Sequence, residues 1–284
     1  MTVRLGIIQG RLSPPVGQHF QIFPAAGWKD EFACARELGL DYIEWVLDAV
    51  TLDETPLLKA AGRDEIRRVM DATGTRVWAV CGDYFRDVPL IRVAGSELET
   101  RLNFLKDVIG YCAELEIPSV MIPFVDHAAM ADEDEISQAR NALRTVLPFA
   151  EERGVTVTLE TALDAERYKR FLEEINHPSL RVTYDIGDCA SLGHDLREDI
   201  YLLRDFIHTV HVKDRKRGGG TVVPGTGDAD FDAVFAALAE IGCRGPFTLQ
   251  CARETPGEEI QTARKNIAFV KDYLARYGFH HEIG

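Results

Sequence analysis

GVTVTLE at 154–160, RVTYDI at 181–186 and TVHVK at 209–213 are three short runs dense in Val, Thr and Tyr. They are apolar enough on both faces to be parallel strands buried between helices and neighbouring strands. Ala165–Ile175 and Leu196–Phe206, which separate them, carry apolar residues at helical spacing. The three runs also bring a carboxylate, a carboxylate and an imidazole to strand ends, at Glu160, Asp185 and His211.

The same alternation extends outward. VRLGIIQG (3–10), DYIEWV (41–46), TRVWAV (75–80), PSVMIPF (118–124) and PFTLQC (246–251) read as strands. Helical periodicity follows at 28–38, 63–73, 97–114, 136–153, 231–241 and 258–277. Gly39, Gly74, Gly154 and Gly242 stand just past helical runs, where a left-handed C-cap is wanted. Eight strand–helix units in 284 residues, with no linker or compositional break, predict an α/β fold, one (β/α)8 TIM-barrel domain over 1–284. The rival, an open doubly wound sheet, wants a glycine fingerprint after its first strand; here Gln9, Gly10, Arg11, Leu12 and Ser13 follow.

With 46 acidic against 32 basic residues the formal charge is −14, and the mean hydropathy is −0.12. Such a chain repels phosphate backbones and anionic lipid, so neither a nucleic-acid nor a membrane partner is expected. Nothing reaches the ~20 apolar residues of a membrane span. The apolar core of MTVRLGIIQGRLSPP is too short for a signal peptide. Six cysteines without a CxxC pair read as cytosolic thiols, and the expected location is cytoplasmic. A homo-oligomer stays open.

In a barrel of this kind chemistry belongs at the C-terminal strand ends. Read in order, those ends carry Gln9 and Arg11, Glu44, Cys81 and Asp83, Asp126 and His127, Glu160, Asp185 and Asp188, His211 and Lys213, and Gln250. A lone Asp after a strand is ordinarily a turn or cap, and Asp185 precedes Ile186–Gly187 as a turn residue does. A carboxylate closing the apolar run 155–159 is costlier, unless it is paired or metal-bound. Glu160, Asp185 and His211 at equivalent places in three successive units point to a divalent-cation site open to water or substrate oxygens.

TLET with Glu160, YDIGD with Asp185 and HVKDR with His211, together with the opening GIIQGRLSPP, resemble the sugar isomerase/epimerase family with the xylose-isomerase-like TIM barrel. The resemblance spans nearly the whole chain. It implies a carbohydrate substrate and a divalent cation (Mn, Mg, Zn or Co) held by Glu, Asp, His and a final Glu from strands five to eight. Three ligands map onto Glu160, Asp185 and His211, but PFTLQC puts Gln250 in the fourth place. Gln offers a carbonyl oxygen but no charge and no proton, so the ligand charge falls from −3 to −2. Asp188 stands where many relatives have a substrate-binding His. Glu166 and Arg217 resemble residues that hold substrate hydroxyls or ligand backbone, and Glu44 is expected beside them.

Lys213 alternates with His211 and shares its inward face, as a catalytic partner or a snorkelling surface Lys. Arg11 with Ser13 suits a phosphate or carboxylate, or else only a structural loop beside Pro14 and Pro15. The basic, glycine-rich 215–220 reads as a lid. The reaction implied is proton abstraction next to a carbonyl, with Glu160 as base, giving isomerisation or epimerisation through an enediolate. An inosose-dehydratase-like elimination and a non-catalytic metal- or sugar-binding barrel are the alternatives that Gln250 keeps open. A nuclease of the same barrel type is disfavoured by the acidic charge.

Overall fold

In the computed structural model, which describes residues 1–281, eight parallel strands close into a barrel. They are β1 (Leu5–Ile8), β2 (Tyr42–Val46), β3 (Arg76–Cys81), β4 (Ser119–Phe124), β5 (Thr156–Thr161), β6 (Leu180–Asp185), β7 (Ile207–Val212) and β8 (Phe247–Leu249). β8 pairs with both β7 and β1, which leaves the barrel no free edge. The principal outer helices are α1 (Trp28–Glu37), α2 (Ala60–Thr73), α3 (Gly95–Glu114), α4 (Glu133–Glu152), α5 (Ala165–Ile175), α6 (Leu196–Leu203), α7 (Phe231–Glu240) and α8 (Glu259–Arg276). Among the described residues no helix is long and apolar enough to cross a membrane.

The strands follow the two-residue alternation of their sequences. Val157, Leu159, Val182, Tyr184, Val210, Val212, Phe247 and Leu249 join the large core shared with the helices. Their alternates face the barrel axis, where the Thr183 hydroxyl donates to Thr158 Oγ1 at 2.7 Å. On the β1–β4 side Ile8, Val46, Cys81 and Met121 form a separate small apolar cluster. The barrel interior is thus apolar along one arc and polar along the other, and the polar arc carries the site.

Two local features set the floor and wall of that arc. A Cβ on Gly6 would fall on the Tyr42 ring, so glycine leaves room for Tyr42, whose hydroxyl hydrogen-bonds Thr248 Oγ1 at 2.9 Å. At the end of β6 the chain enters the short helix Ile186–Leu192 with no intervening turn, because Asp185 Oδ1 accepts from the Asp188 N–H at 2.8 Å. The run Asp185–Ile186–Gly187 is therefore a cap and not a turn. Asp132, Asp164, Asp195 and Asp230 cap α4, α5, α6 and α7 in the same way, at about 1 kcal/mol each.

Candidate active site

The strand ends open on a cavity of about 440 Å³, a size suited to a small polar molecule. Glu160, Asp188 and Lys213 line it, together with Gln250, Gln21, Asp83, Arg86 and Arg215.

Strand register places Asp185 beside His211, and His211 beside Thr248. One donor atom from each of Glu160, Asp185 and His211 lies within 4.8 Å of the others. His211 is fully buried, and its Nε2 sits 3.1 and 3.0 Å from the two Glu44 oxygens. Glu44 Oε2 also accepts from the Thr248 hydroxyl at 2.8 Å. Held this way, the ring turns Nδ1 toward Glu160 Oε2 at 3.4 Å and Asp185 Oδ2 at 3.7 Å.

Glu160 Oε2, Asp185 Oδ2, His211 Nδ1 and Gln250 Oε1 are all buried and make no hydrogen bond. Asp185 Oδ2 has the Lys213 ammonium at 2.8 Å as an ion partner. A buried polar atom left without a hydrogen bond costs about 1–3 kcal/mol. Three such atoms, with Asp185 Oδ2 held by Lys213 beside them, are on residues of one rim and make the donor set a divalent cation takes, so these residues fit one. Gln250 donates its amide to Gln21 Oε1 at 3.0 Å, which leaves its carbonyl oxygen as the spare donor atom.

Burial, followed by the charges of Asp185 and Asp188, pushes the Glu160 carboxyl up to about 8. Burial alone would lower the Lys213 ammonium, but Asp185 and Asp188 overcome it and hold Lys213 above its usual range. Lys213 bridges Asp185 Oδ2 and Asp188 Oδ1, each at 2.8 Å, and is a fixed cation. Asp188 is buried too, yet Lys213 and the Arg215 guanidinium at 2.7 Å keep it well below the usual carboxylate range. For His211 burial again works against charge, and Glu44, with Asp185 and Glu160, raises the imidazolium well above its ordinary value.

Several expected residues stand elsewhere. Glu44, expected at the substrate, lies beneath His211 and does not line the cavity. Arg11 is buried, donating to Cys251 O at 2.9 Å and Phe20 O at 3.1 Å, while Ser13 donates to Glu31; neither lines the cavity. Glu166 is exposed in the first turn of α5, and Arg217 lines a separate surface recess with Gly193 and Asp228. The 215–220 segment belongs to a small hairpin, Asp214–Arg215 against Thr221–Val222, and Gly220 and Thr221 border the cavity. Gln21, Arg86 and Arg215 were not foreseen. For Arg215 the signal was present: 211, 213 and 215 share one parity, which 217 reaches only after the hairpin has turned away.

Residues 32–273 match the protein family described as xylose isomerase-like TIM barrel. An L-ribulose-5-phosphate 3-epimerase from Salmonella paratyphi C (strain RKS4594) is 26% identical over 284 residues, spanning 93% of this chain and 96% of that protein. The structure of D-psicose 3-epimerase with D-tagatose from Clostridium cellulolyticum H10 superposes with a TM-score of 0.75 at 16% identity, covering 96% of this chain and 99% of that one. A xylose isomerase-like TIM barrel protein from Mycobacterium smegmatis, in complex with magnesium, superposes with a TM-score of 0.70 at 16% identity, covering 96% and 97%.

Proposed function

Because the chain belongs to the xylose isomerase-like TIM-barrel family, we propose that it is a sugar epimerase, an isomerase acting on a ketose or ketose phosphate through an enediolate. The observation that carries this reading is the group of buried donor atoms on Glu160, Asp185, His211 and Gln250, of which only Asp185 Oδ2 has a partner outside the group, Lys213, and of which Glu160 and Gln250 line a sugar-sized cavity. The epimerases named among the relatives support it.

Glu160, Asp185, His211 and Gln250 would hold the cation, which when bound polarises the substrate's carbonyl and neighbouring hydroxyl and keeps Glu160 ionised. Glu160 takes the proton from the carbon beside the carbonyl. The C–H electron pair becomes the C=C bond of the enediolate, and the carbonyl oxygen takes the charge. Lys213, fixed as a cation by Asp185 and Asp188, faces the cavity where that charge develops. It acts as an electrostatic partner, since an ammonium held above its usual range is no base. Asp188, ionised, is an acceptor for a substrate hydroxyl.

One observation favours a second reading: residue 250 is an amide, which suits a one-base isomerisation or an elimination like that of inosose dehydratases. The test is incubation with Mn, Mg, Zn or Co in deuterium oxide, with ketopentoses, ketohexoses and their phosphates, followed by NMR. The expected product is an epimer carrying deuterium at the inverted carbon. Aldose or dehydrated product would establish the second reading, and no deuterium in any sugar with any metal would overturn both.

A further inference from the structure

Inverting a carbon requires a proton taken from one face and another delivered to the opposite face, so epimerisation asks for two proton-transfer groups across a cavity. Here the lining falls on two walls. Glu160 lies near the end of β5, and Asp188 and Lys213 follow β6 and β7, while Gln250, Gln21 and Asp83 follow β8, β1 and β3. The second wall is a hydrogen-bonded chain: Gln250 donates to Gln21 Oε1 at 3.0 Å, and Gln21 donates to Asp83 Oδ2 at 2.7 Å. Two of its members are amides, and Asp83, 3% exposed, is the buried carboxyl of that wall. Asp126, the other cavity carboxyl near β3 and β4, is exposed at the mouth.

We propose that Asp83 is the second proton-transfer residue, acting on the substrate face opposite Glu160; this rests on the epimerase reading above. The alternatives on the first wall are spent, since Asp188 is locked between Lys213 and Arg215, and Lys213 between Asp185 and Asp188. Glu254 lines a different crevice, against α8. Burial pushes the Asp83 carboxyl up, against the pull of Arg86 at 3.5 Å, which favours the acid form that donation needs. In the step, the Asp83 O–H bond breaks and its proton forms the new C–H bond with the enediolate's C=C pair. The oxygen charge returns to a carbonyl, Asp83 is left as a carboxylate and Glu160 as the acid. Exchange of both with water restores the starting state.

The experiment compares wild type with Asp83→Asn, an isosteric change that keeps a partner for Gln21, in deuterium oxide. Epimerisation falls by about 10²–10⁴-fold, while deuterium exchange at the substrate carbon without inversion stays within about tenfold, because Glu160 still acts. Gln250→Glu in the Asp83→Asn background, which returns a carboxyl to the same wall, recovers at least about tenfold. Epimerisation within about threefold of wild type in Asp83→Asn overturns the proposal. So does equal loss of exchange and inversion in a variant whose melting is unchanged. If Asp83→Asn does not fold, Asp83→Ser is read by the same two rates. Absence of exchange in wild type itself marks failure of the epimerase reading, and this inference falls with it.

Discussion

Glu44→Gln probes the imidazole beneath the rim without changing its packing. Glu44 is 1% exposed and accepts from His211 Nε2 with both oxygens and from the Thr248 hydroxyl. Gln fits the same space with one acceptor oxygen. The lowest-cost arrangement gives that oxygen to His211 and the amide N–H to Thr248, whose hydroxyl turns to accept. What is lost is the charge: a bond worth about 1.5–3 kcal/mol becomes a neutral one worth about 0.5–1.5. A loss near 1.4 kcal/mol is about tenfold in affinity, at the lower edge of the 10–100-fold that partners of metal-bound histidines typically cost. Glu44 is also the foremost group holding His211 as an imidazolium against burial. In wild type, cation binding must therefore expel the Nδ1 proton, and in Glu44→Gln that release shrinks. Calorimetric titration with Mn in two buffers of different ionisation enthalpy reads both quantities. Unchanged affinity and unchanged proton release, in a variant that melts like wild type, would refute the placement of His211 as a ligand oriented by Glu44.

His211→Ala should abolish metal binding by elemental analysis. It should also lower stability by about 3–5 kcal/mol in chemical denaturation, because it strands the buried Glu44 charge; adding Glu44→Leu should recover part of that loss. Gln250→Glu should tighten cation binding by about tenfold in calorimetry, as the ligand charge goes from −2 to −3. His194 donates its Nδ1–H to Asp199 Oδ2 at 3.0 Å, and that hydrogen bond raises its ring above the usual 6.5. Its stabilising contribution is therefore complete below pH 6.5 and is lost as pH rises through the higher folded value. The difference in melting between wild type and His194→Gln should shrink from pH 6 to pH 9, and a constant difference would contradict it.

The strand–helix alternation was legible because parallel barrel strands are apolar outward and change character only at their inner face. Glu160, Asp185 and His211 could be read as one group because each ends a consecutive strand, at β5, β6 and β7. What stayed hidden depends on depth and on loops. Glu44 lies one inward step below Val46, the last inward residue of β2, so it supports the site from beneath and does not face the cavity. Gln21 comes from an aperiodic segment after β1 that is folded over the mouth by Arg11, and nothing in its composition announces where it lands. Arg11 itself is consumed by backbone carbonyls. The short helix after Asp185 arises from a side-chain cap, which a turn-like Asp–Ile–Gly sequence conceals.

The most direct test of the central claim is anomalous diffraction from crystals grown with saturating Mn. The account predicts a peak within about 2–2.5 Å of Glu160, Asp185 and His211 Nδ1, with Gln250 Oε1 or water completing the shell. Among the described residues the competing trio is Cys189, His194 and Asp199, whose donor atoms also lie within 4.8 Å of one another. A peak there and none at the barrel rim, or no peak at either, would contradict the account.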